Sequence, residues 1–150
     1  MKNVDGIDRR LLELLQQDAT RSYAALGTAV GLSAGAVHER VRKMRASGVI
    51  RRTSVDVEPA ALGQGVLAFV MIDSSVWMGD RAADFAAIPE VQEAHAVAGD
   101  ASVLVKVRTS TTGRLQDVLR RLYAVQGVGG TRATVVLETF FERQVSPNSP

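Results

Sequence analysis

The stretch from Gly31 to Arg52 carries an excess of positive charge that suits binding to a polyanion. Its basic residues are Arg40, Arg42, Lys43, Arg45, Arg51 and Arg52, and its acidic residue is Glu39. Guanidinium and ammonium groups form charge-assisted hydrogen bonds with phosphate oxygens. A solvated surface helix is also basic in many proteins, so the charge alone leaves both interpretations open.

One helix is predicted to carry most of this charge. Ser33 suits an N-cap, Gly48 stands where a left-handed residue ends a helix, and residues 34–47 lie between them. At about 100° per residue, the helix has a narrow apolar stripe made of Val37, Val41 and Met44. The opposite side holds Gly35, Glu39 and Arg42, flanked by His38 and Arg45. One side of this helix is therefore predicted to pack and the other to face solvent or a partner.

Two further helices are predicted to precede this one. The first begins behind Asp5, with Asp8 completing a capping box, and its apolar stripe is Ile7, Leu11, Leu14 and Leu15. Ser22 opens a second helix that runs to about Val30, and Gly31-Leu32-Ser33 forms the turn to the basic helix. Three helices in this order predict a helix-turn-helix, which places its later helix in the major groove of DNA. Residues 51–58 alternate, as in a wing strand or an extended connection.

The predicted DNA-binding residues divide into base readers and phosphate contacts. The whole set is Ser33, Ala34, Gly35, His38, Glu39, Arg42, Lys43, Arg45, Arg51 and Arg52. Arg42 is the expected bidentate reader, with Glu39 a possible acceptor from cytosine N4 and His38 a possible guanine contact. Because Ala34 and Gly35 have no side-chain donor, we expect degenerate sites and a steep salt dependence. Arg40 lies about 60° from the apolar stripe, so a structural ion pair is favoured over a DNA contact.

Composition limits the function classes. The chain has 150 residues, no cysteine and two isolated histidines, so disulfides, thiolate metal sites and a metal cofactor are not expected. No apolar run spans a membrane and no signal peptide is evident, which favours a cytoplasmic protein. The excess of positive charge lies before Asp56 and the remainder is mildly acidic. This split favours a nucleic-acid-binding module joined to a second domain.

The second half of the chain reads as strands and helices in the order βαββαβ. We predict strands at 66–72, 91–97, 103–107 and 134–141, and helices at 80–88 and around 115–122. That order is typical of a ferredoxin-like domain, with both helices on one face of an antiparallel sheet. The other face is expected to be apolar and to be buried against a second copy, giving a homodimer. The fold class is therefore α+β, with a winged helix-turn-helix at 1–52, a linker strand and hinge at 53–64, the ferredoxin-like domain at 65–143, and a disordered tail at 144–150.

Four segments resemble the Lrp/AsnC (feast/famine) family of transcriptional regulators in order and spacing. They are "VDGIDRRLLELLQQDAT", "VGLSAGAVHERVRKMRASGVI", "IPEVQEAHAVAGD" and "GVGGTRATVVLETF". The resemblance covers nearly the whole chain. It implies a DNA-binding domain joined to a sensing domain, assembly into dimers that often form octamers, and regulation by a small effector, typically an amino acid.

The resemblance also implies where the effector would bind. One segment is the hairpin Ala98, Gly99, Asp100, Ala101 and Ser102, and the other is Gly130, Thr131, Arg132, Ala133 and Thr134. Asp100 would take the ammonium group, and turn amides or the hydroxyls of Thr131 or Thr134 would take the carboxylate. Without the resemblance, the hairpin segment reads as a tight turn and the threonines as strand residues.

Two departures and two rival functions bear on this assignment. Many relatives have an Asp-aromatic pair where this chain has Ser102-Val103, and a threonine where it has Ala133. The valine is expected to widen a wall of the pocket, and the alanine removes one hydroxyl anchor. The first rival function is an architectural or sensing oligomer without an amino-acid response. The second is an enzyme, which is disfavoured because no nucleophile, base and orienting group occur together.

Overall fold

The computed structural model describes residues 4–148, which form two compact units. The first unit comprises the described residues up to Asp56 and those from Glu142 onward, and the second spans Val57–Phe141. The helices are α1 (Gly6–Gln17), α2 (Tyr23–Val30), α3 (Ala34–Ala46), α4 (Ala82–Ala86) and α5 (Thr112–Tyr123). The strands are β1 (Val66–Ser74), β2 (Val91–Ala96), β3 (Val103–Thr109) and β4 (Val128–Val135). The predicted α+β fold class, with a helix-turn-helix before an antiparallel domain, is confirmed.

The first unit is a three-helix module whose helix starts follow the predicted caps. Asp5 and Asp8 form the reciprocal capping box of α1. The hydroxyls of Ser22 and Ser33 accept backbone N–H groups at the starts of α2 and α3. The fully or nearly buried side chains of its core are Leu11, Leu14, Leu26, Val37, Val41 and Met44. The apolar stripe predicted for α3 is thus the side that packs.

The second unit is a four-stranded antiparallel sheet in the order β2-β3-β1-β4. Alternate residues of β1 and β3, including Val70 and Val105, are buried beneath the two helices. The helices contribute Phe85 of α4 and Leu115 and Leu122 of α5 to the same core. The predicted helix over 80–88 is shorter in the structure, because a three-residue 3-10 helix at Gly79–Arg81 precedes α4 and Pro89 follows it.

The last strand lies earlier in the chain than predicted. The prediction of a strand over 134–141 is wrong in its bounds, since β4 covers Val128–Val135. The register explains this, because Val135 pairs with Ala68 and β1 begins only two residues earlier, at Val66. In this register residue 137 lies opposite Val66, so residues beyond 137 have no β1 residue to pair with. Leu137, at the end of this register, and Phe140, beyond it, are highly exposed despite their strand-like composition.

The connection at 51–64 and the segment at 144–150 also differ from expectation. No strand forms over residues 51–64; a short 3-10 helix at Pro59–Leu62 interrupts an exposed extended segment. In the described residues no strand pairs with this segment, and its backbone hydrogen bonds lie within the 3-10 turn, as from the Gln64 N–H to the Pro59 carbonyl. Within 144–150, predicted to be disordered, the carbonyl of Val145 accepts a hydrogen bond from the Gln16 amide at 3.0 Å. The carbonyl of Pro147 accepts another from Arg9, so the described part of the tail contacts α1.

The sheet face opposite the helices is not uniformly apolar. Its half-buried apolar residues are Phe69, Met71 and Leu104. Polar neighbours interrupt them, since Lys106 pairs with Glu93 at 3.5 Å and Arg132 pairs with Asp73 at 3.3 Å. The expectation of a bare apolar face is corrected to a mixed one. We call this surface the open face.

Candidate functional site

The start of α3 presents a small, exposed surface. The Ser33 hydroxyl accepts the Ala36 N–H at 3.2 Å, which fixes the first turn. Ala34 and Gly35 are exposed, and a Cβ at Gly35 would have no atom within 4 Å. Because Val37 and Val41 anchor the other side in the core, this surface is free to approach another molecule closely.

Glu39 and Arg42 form a two-bond ion pair on the exposed side of α3. The Nε group of Arg42 donates to Glu39 at 2.8 Å and its Nη2 group donates at 2.7 Å. The Lys43 ammonium lies 3.7 Å from the same carboxylate. The hydrogen bonds from Arg42 lower the pKa of Glu39 to about 2. The predicted reader and the predicted acceptor are therefore paired with each other.

The remaining cations of this surface are more open. Arg45, Arg51 and Arg52 are exposed, and no carboxylate of residues 4–148 pairs with them. Such side chains can reach phosphate oxygens without breaking an existing ion pair. His38 is exposed, and its ring centroid lies 5.4 Å from that of Tyr23, so a neighbouring aromatic ring partly limits its freedom.

Arg40 has the structural role that its position indicated. Its guanidinium contacts Asp5 at 2.6 Å and Asp8 at 2.9 Å, and these two residues form the capping box of α1. The backbone N–H of Asp8 and the guanidinium of Arg40 both lower the pKa of Asp5. The ion pairs link the middle of α3 to the start of α1 and so hold α3 in place.

The turn between α2 and α3 depends on a close backbone approach. A Cβ at Gly27 would lie 2.4 Å from the carbonyl oxygen of Leu32. The backbone N–H of Leu32 also donates to the carbonyl of Gly27 at 2.9 Å. Glycine is a poor helix former, but at position 27 it lets the turn pack directly against α2.

The two segments predicted to bind an effector meet through Arg132. Its Nη2 group donates to the carbonyl oxygen of Asp100 at 3.0 Å, and the guanidinium also pairs with Asp73. The hairpin between β2 and β3 is thus tied to β4. Asp73 was not among the predicted residues. Its place as the first charged residue of an otherwise apolar strand, next to the last residue of β1, was the available signal.

Other members of the predicted effector set serve different purposes. The Ser102 hydroxyl accepts the N–H of Ser74 at 3.1 Å and donates to its carbonyl at 3.0 Å, where the β1–β4 register shifts. Thr131 pairs with Ile72 and lies on the helix side of the sheet. Thr134 pairs with Phe69 and lies on the open face. The two threonines therefore cannot hold the same carboxylate from one side. Asp100 is exposed at the hairpin turn, beside Gly99, whose φ of 128° favours glycine.

The described residues contain neither a metal-binding cluster nor a membrane-spanning helix. Across 4–148, no three His, Cys, Asp or Glu side chains are arranged to hold a metal ion. In the same part of the chain, no helix has the length and apolar character that crossing a bilayer requires.

Comparison with known proteins gives consistent results for both units. The AsnC-type helix-turn-helix domain matches residues 4–45, and the Lrp/AsnC ligand binding domain matches residues 67–146. The transcriptional regulator LrpA of Mycobacterium tuberculosis is 36% identical over 148 residues, covering 96% of this chain and 97% of its own. The structure of Escherichia coli AsnC has a TM-score of 0.90 at 30% identity, covering 97% of this chain and 99% of its own.

A second solved structure carries a ligand. A feast or famine regulatory protein from M. tuberculosis, complexed with L-methionine, has a TM-score of 0.89 at 35% identity and covers 97% of this chain and all of its own. The names of these relatives describe transcriptional regulators rather than enzymes.

Proposed function

Because the chain belongs to the Lrp/AsnC family of DNA-binding transcriptional regulators, we propose that α3 reads degenerate operator sites in the major groove. The observation that carries this proposal is the exposed side of α3, where cations stand opposite a buried packing stripe. Arg42, past the middle of α3 on that side, is the proposed base reader. Arg45, Arg51 and Arg52 supply affinity through phosphates, which carries no sequence information. We also propose a cytoplasmic location, because the DNA on which it acts lies there.

Duplex binding at several salt concentrations tests the DNA-binding surface. We expect the logarithm of affinity to fall with the logarithm of salt concentration, with a slope of about −0.9 for each phosphate contact. Arg45→Gln should make that slope shallower by about one contact. Arg120→Gln is a matched control, because Arg120 is an exposed helix cation of the second unit that pairs with Asp117. Failure to bind any duplex at low salt would refute the proposal.

We propose that the second unit senses an amino acid at the β2–β3 hairpin and β4. Asp100 offers a carboxylate to the ammonium group of the ligand. Arg132 has N–H donors beyond those that contact Asp73 and the carbonyl of Asp100, and these suit a carboxylate. The methionine complex of the M. tuberculosis relative supports an amino acid as the ligand class. Of the two threonines, Thr134 shares the open face with Arg132, so it is the better placed hydroxyl.

Thermal unfolding with each of the twenty amino acids tests this site. A ligand that binds only the folded state stabilises it by about 2.7 kcal/mol at a hundredfold excess over its Kd. Asp100→Ala should abolish the shift, and it keeps the backbone carbonyl that accepts from Arg132. Asp117→Ala, which removes an exposed carboxylate from α5, should leave the shift intact. If no amino acid stabilises the folded protein, the architectural alternative without effector control is favoured instead.

We also propose that two copies associate through the second unit. The open face has half-buried apolar residues, and Leu137 and Phe140 are exposed. Burial of this apolar surface in an interface would be favourable. Sedimentation of the full chain should give a dimer or a multiple of it, including the octamer common in the family. A monomer at micromolar concentration would contradict this part of the proposal.

A further inference from the structure

We propose that Glu39 is a positioning residue for DNA reading, whose carboxylate holds one edge of the Arg42 guanidinium and leaves the other edge facing a guanine. This inference rests on the proposed DNA-binding function of α3. It assigns to Glu39 a task that is distinct from contacting a base directly.

The geometry of the ion pair leaves the reading edge of Arg42 open. A guanidinium is planar and has five N–H donors in fixed directions. Glu39 takes the side edge, because its two carboxylate oxygens accept from Nε at 2.8 Å and from Nη2 at 2.7 Å. The end edge, formed by Nη1 and the second hydrogen of Nη2, remains available. Two parallel donors on one edge are what the O6 and N7 atoms of guanine accept in the major groove.

The surroundings of the pair suit close contact with a groove. Glu39 and Arg42 lie one helical turn apart, on the side of α3 away from the buried Val37 and Val41. Gly35 lies a further turn toward the start of the helix, on the same side, with open space around its Cα. At Gly35 no side chain therefore holds the helix away from the bases.

The charge state of Glu39 keeps the pair intact at neutral pH. Hydrogen bonds from Arg42 lower the pKa of Glu39 to about 2, so the carboxylate is ionised wherever the protein works. A carboxylate near phosphates weakens DNA binding by repulsion, unless another effect of the same carboxylate offsets that repulsion. Here it holds a long side chain in advance of binding, which reduces the ordering cost of the complex. It also draws the Lys43 ammonium toward α3 and away from phosphates, at 3.7 Å.

The test compares specific and non-specific binding in three variants, Glu39→Gln, Arg42→Gln and the double variant. The two probes are a duplex that the wild-type chain selects from a randomised pool and a scrambled duplex of the same composition. Glu39→Gln should lower the ratio of specific to non-specific affinity about tenfold, within the range that one bidentate base contact supplies. The freed Arg42 should also contact phosphate. Between about 50 and about 200 mM salt, the variant should therefore lose about 3.5 times more non-specific affinity than the wild type.

Further variants distinguish the positioning of Arg42 from the effect of the negative charge on Glu39. In the Arg42→Gln background, Glu39→Gln should change the ratio little, because Glu39 acts through Arg42. Replacing the contacted guanine by 7-deazaguanine should weaken the wild-type complex but not the Glu39→Gln complex. Glu39→Asp keeps the charge and loses reach, so it should lower the ratio as well. Glu13→Gln is the matched control, since Glu13 is also paired three residues from an arginine, Arg10, but on α1.

Three results would overturn the inference. An unchanged ratio and an unchanged salt slope in a folded Glu39→Gln variant would show that Glu39 positions nothing. An undiminished effect in the Arg42→Gln background would mean that Glu39 contacts DNA itself. If the wild-type chain binds neither duplex, the proposed function fails as well, which distinguishes that failure from the other two.

Discussion

Replacing Arg40 by methionine should weaken the fold without removing a DNA contact. Arg40 is the basic residue of α3 whose guanidinium contacts α1, through Asp8 at 2.9 Å and Asp5 at 2.6 Å. Methionine keeps most of the apolar stem and removes the charge and the donors. The change therefore isolates the ion pairs from the packing of the side chain.

The expected loss follows from the exposure of the partners. Hydrogen bonds to charged groups contribute about 1.5–3 kcal/mol, whereas exposed ion pairs contribute about 0.2–1 kcal/mol. The Arg40 side chain is 32% exposed and that of Asp8 is 14% exposed, so their contact lies between these limits. We expect the variant to lose about 1–2 kcal/mol from this pair, which lowers the melting temperature of a small domain by roughly 5–10 °C.

The pH dependence of this stability difference has a defined sign. The pKa of Asp5 is lowered in the folded state, first by the backbone N–H of Asp8 and then by Arg40. A lowered carboxyl pKa stabilises the fold above the ordinary value of 3.8 and loses that effect as pH falls through the folded-state value. The gap in stability between wild type and Arg40→Met should therefore be widest near neutral pH and should narrow below the ordinary value.

Urea unfolding and the salt dependence of duplex binding, measured on the same preparations, provide the assay. Arg45→Met is the control: Arg45 is exposed on the same helix and pairs with no carboxylate of the described residues. It should leave the free energy of unfolding unchanged and should reduce the salt slope by about 0.9. The reasoning is refuted if Arg40→Met unfolds like wild type while losing that same part of the salt slope.

Three further predictions concern other residues. By carboxyl NMR, Glu39 should titrate near pH 2, and Arg42→Gln should raise its pKa toward the ordinary 4.5, because the largest stabilisation of the ionised form is removed; a midpoint near 4.5 in the wild type would show that the pair is absent in solution. Ser102→Ala should cost about 1–2 kcal/mol in urea unfolding, since the half-buried N–H of Ser74 loses its partner; no change would mean that water replaces the hydroxyl freely. Gly27→Ala should lower stability even though alanine is the better helix former by about 1 kcal/mol, because the added Cβ would meet the Leu32 carbonyl at 2.4 Å; a gain in melting temperature would show that the turn shifts at little cost.

The helical unit could be read from the sequence because its signals are local. The caps at Asp5, Ser22 and Ser33 lie within three residues of the groups they satisfy. The stripe of Val37, Val41 and Met44 repeats at helical spacing and forms the buried side of α3. Even the structural role of Arg40 followed from its angle on the helix, although its partners lay more than thirty residues away in sequence.

The strand bounds and the effector geometry could not be read in the same way. Apolar composition continues past Val135, and only the register with β1 shows where β4 must end. The same register separates Thr131 from Thr134 by placing them on opposite faces, although they are three residues apart in one segment. An edge strand has one neighbour, and the sequence does not state how far that neighbour extends.

By itself, the sequence determined the family resemblance, the order of helices and strands, the caps and the distribution of charge along the chain. Each of these depends on neighbouring residues or on a repeating spacing. Only the tertiary structure decided that Arg42 is held by Glu39 and that the turn packs directly against Gly27. It also decided that Arg132 joins Asp73 to the hairpin at Asp100. Hydrogen bonds and close contacts are satisfied over a few ångströms, and the partner that lies within that distance is set by side-chain conformation and strand register rather than by residue type.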